Sequence, residues 1–249
     1  MIRLLLFCLF LSAFPTLNGQ NQVDAEGRKT GHWKVEYPNG NTRFEADFVE
    51  GQPVGEMLRY YEKGGIRARM FFDGDGSCSH VKMFYENGKP AAEGIYLEQE
   101  KDSVWTYFSE YDGSVRIREK YLDGKLEGLS QSYYPNGGIS EEVQWKNGEK
   151  DGFWKQYYTN GAQRLSAHYK DGQLQGPYEL YFSTGTIKIR GTYLNNRSHG
   201  TWSFYDESGK EIFALEYVNG TPADWEKYTN WIQDTLKKYE VVDKPESFQ

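Results

Sequence analysis

Catalysis or metal binding would first be built from four histidines, two cysteines and one Gly/Asp-rich run. His32 and His80 occupy the same place in a repeating pattern, two units apart. On a meandering sheet that separation is roughly 20 Å, since strands lie ~4.8 Å apart, and one ion cannot bridge it. The other histidines are His168 and His199. Cys8 lies in an apolar N-terminal run, which leaves Cys78 as a lone cysteine further on, too little for a disulfide framework or a Cys-rich metal site. The segment Asp73-Gly74-Asp75-Gly76-Ser77 is similar to the start of a calcium loop. It lacks the spaced third ligand and the terminal Glu, and reads as a glycine-rich turn. No G-x-S-x-G, H-E-x-x-H or P-loop motif occurs. The residues therefore predict no catalytic site, no cofactor and no metal.

The elements that carry these residues follow from composition. Hydrophobic residues are only 38% of the 249, so a large layered aliphatic core is not expected. Aromatics reach 16%, with 20 Tyr, and glycine numbers 27, which together point to short strands and many tight turns. A net charge of −7 argues against a partner held by bulk charge, whether nucleic acid or anionic membrane.

Residues 1–19 read as a secretory signal peptide. Arg3 precedes an apolar run from Leu4 to Phe14, too short to span a bilayer, and cleavage is expected near Gly19. Loss of this segment removes Arg3 and Cys8 and takes the charge to −8. The expected location is therefore periplasm, cell surface or medium.

A repeat dominates the remainder. Variants of G-x-W-x-x-Y-Y-x-N-G start at Gly31, Gly55, Ser79, Ser103, Gly128, Gly152, Gly176 and Gly200, 24 residues apart except for one step of 25. After a lead-in at 20–30, eight units fill 31–223. Each reads as two strands. In the sixth unit Phe153–Tyr158 is followed by Asn160-Gly161, expected as a type I′ turn, and then by the alternating strand Gln163–Tyr169. Asp171-Gly172 leads into the next unit. Sixteen strands would make a single-layer ribbon roughly 75 Å long.

Period two assigns the faces. Trp33, Trp105, Trp154, Tyr178 and Trp202 share one, with Tyr37, Tyr61, Tyr85, Tyr134, Tyr158 and Phe182 four residues on. Tyr60, Phe84, Phe108, Tyr133, Tyr157, Tyr181 and Tyr205 fall on the other. Rings that recur in every unit are expected to stack unit on unit and replace the missing second layer. Alternating charges such as Arg43, Arg67, Glu45, Arg69, Glu142 and Arg190 read as a solvated face with cross-strand pairs.

The pattern G-x-W-x-x-Y-Y-x-N-G, then an aromatic, then (Asp/Asn)-Gly, resembles the bacterial variant of the MORN repeat, found in chains labelled YwqK-type antitoxins. The resemblance covers about three quarters of the chain. It implies a ribbon of β-hairpins that contacts protein or membrane, and it carries no catalytic residue. Ser79 and Ser103 depart from the leading glycine, and Leu97–Asp102 lacks the usual turn pair. An antitoxin fits a cytosolic partner, whereas this chain reads as exported.

Past Asn219-Gly220 the period changes. A helix is expected over 221–240, with Thr221 as N-cap, Pro222 at its first position, and Trp225, Tyr228, Ile232, Leu236 and Tyr239 in one apolar stripe. It should cap the eighth unit around Trp202, Phe213, Leu215 and Tyr217 and shield the last strand; 241–249 reads as a flexible tail. The functional expectation is an exported, non-enzymatic scaffold that binds a protein partner. The alternatives are an envelope carbohydrate- or peptidoglycan-binding module and an antitoxin- or immunity-like protein that occludes a toxin.

Overall fold

The computed structural model describes residues 19–240 apart from Asp75, with side chains as far as Thr235. The expected export segment, all but Gly19, and the expected tail at 241–249 lie outside these residues.

The chain runs as one open antiparallel meander. Repeat 1 is the hairpin Lys29–Glu36 and Thr42–Val49, and repeat 2 is Gln52–Tyr60 and Ile66–Phe72. Repeat 3 is Cys78–Phe84 and Pro90–Leu97, and repeat 4 is Glu100–Phe108 and Val115–Leu122. The same alternation continues to Arg197–Tyr205 and Glu211–Val218 in repeat 8. Among the described residues there are twenty strands where sixteen were expected. Short pieces at Lys125–Leu126 and Gln173–Leu174 split off from their strands, and Gln22–Val23 and Thr221–Pro222 add a short strand at each end.

Register makes the two faces unequal. Trp33 lies opposite Ala46, Trp154 opposite Ala167 and Trp202 opposite Leu215. Side chains alternate along a strand, so these residues share one face, here called the front. The buried apolar residues, among them Ala46, Met57, Val81, Trp105, Leu165 and Leu215, all belong to it. A single layer thus forms its core by laying each unit's front side chains against the next unit's.

The turns correct one expectation. Asn39, Asn87, Asn136 and Asn160 keep negative φ, and only the following Gly40, Gly88, Gly137 and Gly161 turn positive. Gly161 N–H donates to the Tyr158 carbonyl at 2.9 Å, and Asn160 Oδ1 accepts from Ala162 N–H at 3.0 Å. These are type I turns closed by a glycine bulge, with the Asn side chain bracing the turn from within. The type I′ signature, positive φ at both residues, belongs to the connections between repeats: Glu50-Gly51, Asp123-Gly124, Asn147-Gly148, Asp171-Gly172 and Asn219-Gly220. Glu98-Gln99 and Asn195-Asn196 adopt it without glycine.

The leading residue of each unit has its own reason. Gly55 has φ 66° and sits in a bulge, since Ala46 pairs with Met57 and Asp47 with Val54. Ser103 takes φ 58° in the matching bulge, a conformation that a side chain disfavours. Ser79 does not. Between repeats 2 and 3 pairing is unbroken from Ala68–Met83 to Phe72–Ser79, and Asp73 N–H donates to the Cys78 carbonyl at 3.0 Å. The residues that elsewhere form the bulge here lengthen the turn, so the leading position needs no glycine.

The helix runs Trp225–Glu240, not 221–240. Thr221 and Pro222 pair with Val218 and Tyr217 instead. Asp224 is the N-cap, its Oδ1 accepting from Lys227 N–H at 2.8 Å. Trp231, absent from the expected stripe, stacks on Phe213 at 4.6 Å and 8° and meets Phe204 at 4.8 Å. Phe204 and Phe213 are opposite one another on the front, so the helix covers that face of repeat 8. Trp225, expected in the stripe, is 60% exposed. Leu236 and Tyr239 lie past the described side chains.

Candidate functional site: the front face and its groove

Most of the front face is filled by its own side chains. In repeats 7 and 8 Tyr178, Tyr193, Trp202 and Tyr217 pack edge to face or tilted, with neighbouring centroids 5.1–6.1 Å apart. The fit is close enough to fix neighbouring residue types. A Cβ on Gly191 would stand 2.2 Å from the Trp202 ring, and one on Gly94 2.3 Å from the Trp105 ring. Trp105 is fully buried. Where repeat 5 carries the small Ser130, Trp145 turns in and donates Nε1–H to Ser130 Oγ at 2.8 Å.

Two further devices close the face. A lysine four residues before the tryptophan lays its ammonium over the rings. Lys29 lies 4.9 Å from the Trp33 centroid, Lys101 4.8 Å from Trp105 and Lys150 5.4 Å from Trp154. The tyrosines four residues after the tryptophan position tie each unit to the next. Tyr37, Tyr61, Tyr85, Tyr134 and Tyr158 donate their hydroxyls to the carbonyls of Tyr60, Phe84, Phe108, Tyr157 and Tyr181, at 2.6–2.9 Å. Repeat 4 has Ser109 and repeat 7 has Phe182 at that place. Rings of neighbouring units meet where Tyr96 packs on Trp105 and where Tyr178 and Tyr193 pack on Trp202; the ladder expected in every unit is otherwise replaced by the phenol–carbonyl bonds.

Repeats 2 and 3 differ. Met57 and Val81 stand where five of the other six units place tryptophan or tyrosine, and Pro53 and Ser77 where repeats 1, 4 and 6 place the lysine. A groove of about 820 Å³ results. Met57, Met70, Met83, Ala68, Phe72 and Tyr96 line it, with the exposed Arg59 and Arg67 also on its wall. Every methionine of the chain other than Met1 is among them.

The back face is polar and laced. Arg190 pairs with Glu179 at 3.0 Å and Arg69 with Glu56 at 3.3 Å. Tyr157 donates to Glu142 at 2.7 Å, Tyr181 to Glu179 at 2.5 Å, and Tyr60 to Glu45. Burial, then the hydrogen bond to the adjacent carboxylate, pushes these three phenols up to about 12, so they stay protonated as donors. His32 faces Asp47 at 3.1 Å. Sequence spacing does not indicate one cluster that the fold forms: ligand atoms of Asp73, Cys78 and His80 lie within 4.8 Å of one another.

Residues 29–50, 79–98, 126–147, 174–195 and 198–219 match the family described as MORN repeat variant. These stretches fall in repeats 1, 3, 5, 7 and 8; repeats 2, 4 and 6 share their spacing and strand pattern. No curated protein matches the chain.

Proposed function

We propose that the chain is an exported, non-enzymatic repeat protein whose front face binds a protein partner at the groove of repeats 2 and 3. One observation carries this reading. Elsewhere the front face is occupied by its own rings, lysines and helix, and here it is open. Methionine side chains adapt to irregular apolar shapes. Arg59 and Arg67 on the wall suit a carboxylate beside the inserted group. The partner's segment would therefore present an apolar side chain flanked by Asp or Glu. Export is supported by Arg3 and the apolar run to Phe14. A glycan-binding platform would need accessible ring faces in a row, and the front rings are turned against one another. Interaction rather than catalysis is also what the MORN resemblance implies.

The test is photocrosslinking in cells from a photoreactive residue at Met70, with Leu165 on the filled part of the same face as control. One adduct from Met70, absent from Leu165 and lost on Met57→Trp, is expected. Equal capture from both positions would overturn the groove as the site. A toxin or an envelope protein in the adduct would decide between the antitoxin-like and scaffold forms of the reading.

A further inference from the structure

The joint between repeats 2 and 3 carries a second feature, on the opposite face from the groove. At the other joints the residue before the unit's leading position lies across from a residue two further back. Val54, for example, pairs with Asp47. Here the bulge is gone, and the corresponding Cys78 stands across from Asp73, with His80 across from Phe71. Cys78 and His80 are two apart on one strand and Asp73 two beyond Phe71 on the other, so all three project from the back face. The change of register thus gathers a thiol, an imidazole and a carboxylate, their ligand atoms within 4.8 Å of one another.

The other units supply an internal control. The place of Asp73 holds Val49, Leu97, Leu122, Lys146, Lys170, Leu194 and Val218, never an acid. The place of Cys78 holds no other cysteine, and that of His80 one other histidine, His32. The altered turn and its three donor residues occur together once.

We propose that Asp73, Cys78 and His80 form a binding site for a divalent ion of the zinc class, with its fourth position open to water. One thiolate, one imidazole and one carboxylate form a borderline-soft donor set that suits tetrahedral zinc and not calcium, which takes oxygen ligands alone. Metal–ligand bonds of about 2.0–2.3 Å set donor separations of roughly 3.3–3.8 Å, so the side chains need close by only about 1 Å. Asp73 and His80 are exposed and Cys78 half-buried, which leaves them room to do so and an entry path for the ion. The bound ion clips both arms of the lengthened turn and replaces the constraint that a two-residue turn imposes at the other joints.

Cobalt(II) and zinc(II) added to the whole reduced protein test this. One cobalt per chain is expected, with a thiolate-to-cobalt band in the near ultraviolet that zinc displaces. Cys78→Ser should abolish the band. His80→Ala and Asp73→Asn should each weaken binding by at least roughly tenfold, the lower end of what losing even a group that only supports a ligand costs. His32→Ala should leave it unchanged, and far-ultraviolet circular dichroism should show all four variants folded. Absence of the band, or a band untouched by His80→Ala and Asp73→Asn, would overturn the site. Because the groove lies on the other face, crosslinking from Met70 reads the partner independently of this result.

Discussion

Repeats 2–3 and repeats 7–8 are built on one plan and finished differently. In the latter, Trp202 lies among Tyr178, Tyr193 and Tyr217, Gly191 makes room for it, and Trp231 of the helix covers Phe204 and Phe213. In the former, three methionines and Ala68 leave a groove of about 820 Å³. A ribbon one layer thick can therefore be closed or open unit by unit, since each unit contacts only its neighbours. Stability resides where rings fill the face, and an open groove remains where they do not.

The sharpest way to break this contrast is to add a methyl group where the face is full. Gly191 has an extended backbone that accepts alanine, so only the Trp202 ring opposes Gly191→Ala. The loss should be about 1–3 kcal/mol by chemical denaturation, and Trp202→Leu in the same chain should recover most of it. A neutral Gly191→Ala would show that the face is loosely packed after all.

Trp231→Ala removes the stacked ring from Phe213 and should cost about 2 kcal/mol, at the low end for an aromatic that is only half-buried. Trp225→Ala, on the exposed side of the same helix, should stay within about 0.5 kcal/mol. Equal effects would mean that the helix does not seat through Trp231.

Alkali should weaken both regions alike. Tyr60 in repeat 2 and Tyr181 in repeat 7 titrate at about 12 when folded against 10.0 for the ordinary phenol. A raised folded-state value means that the stabilising share is whole below pH ~10 and is lost as pH climbs through ~12, because the unfolded chain ionises first. Denaturation midpoints measured across that window should fall, with little change from these groups between pH 7 and 9.

The phenol–carbonyl links sharpen the contrast at smaller scale. Tyr158→Phe should cost about 1 kcal/mol, the usual net worth of one such bond. Phe182→Tyr offers the missing link to repeat 8 and should shift the midpoint the other way or leave it unmoved. Met57→Trp, by contrast, should stay within about 1 kcal/mol, since the ring enters space that already exists.

Much of the ribbon was legible in the chain. The 24-residue period gave the hairpins, and period two put Trp33, Trp154 and Trp202 on one face, as found. The turn departs from expectation because Asn-Gly suits both type I′ and a type I turn with a glycine bulge, and the pair alone does not fix the sign of φ at the Asn. Thr221-Pro222 looked like a helix start, but the pairing with Tyr217 and Val218, a tertiary fact, claims those residues first. The groove's trace in the sequence is methionine and valine at the tryptophan position of two adjacent units. The Asp73–Cys78–His80 cluster could not be found by spacing, since it depends on a register change at one joint.

The most direct test of the open-and-closed face is the binding of anilinonaphthalene sulfonate, an apolar fluorophore with one anionic group, to the folded protein. One site per chain is expected, lost in Met57→Trp and unaffected by Tyr111→Ala or Trp225→Ala. Ending the chain after Ala223 should open a second site over Phe204 and Phe213. Fluorescence that persists in Met57→Trp, or no binding at all, would contradict an open groove at repeats 2 and 3.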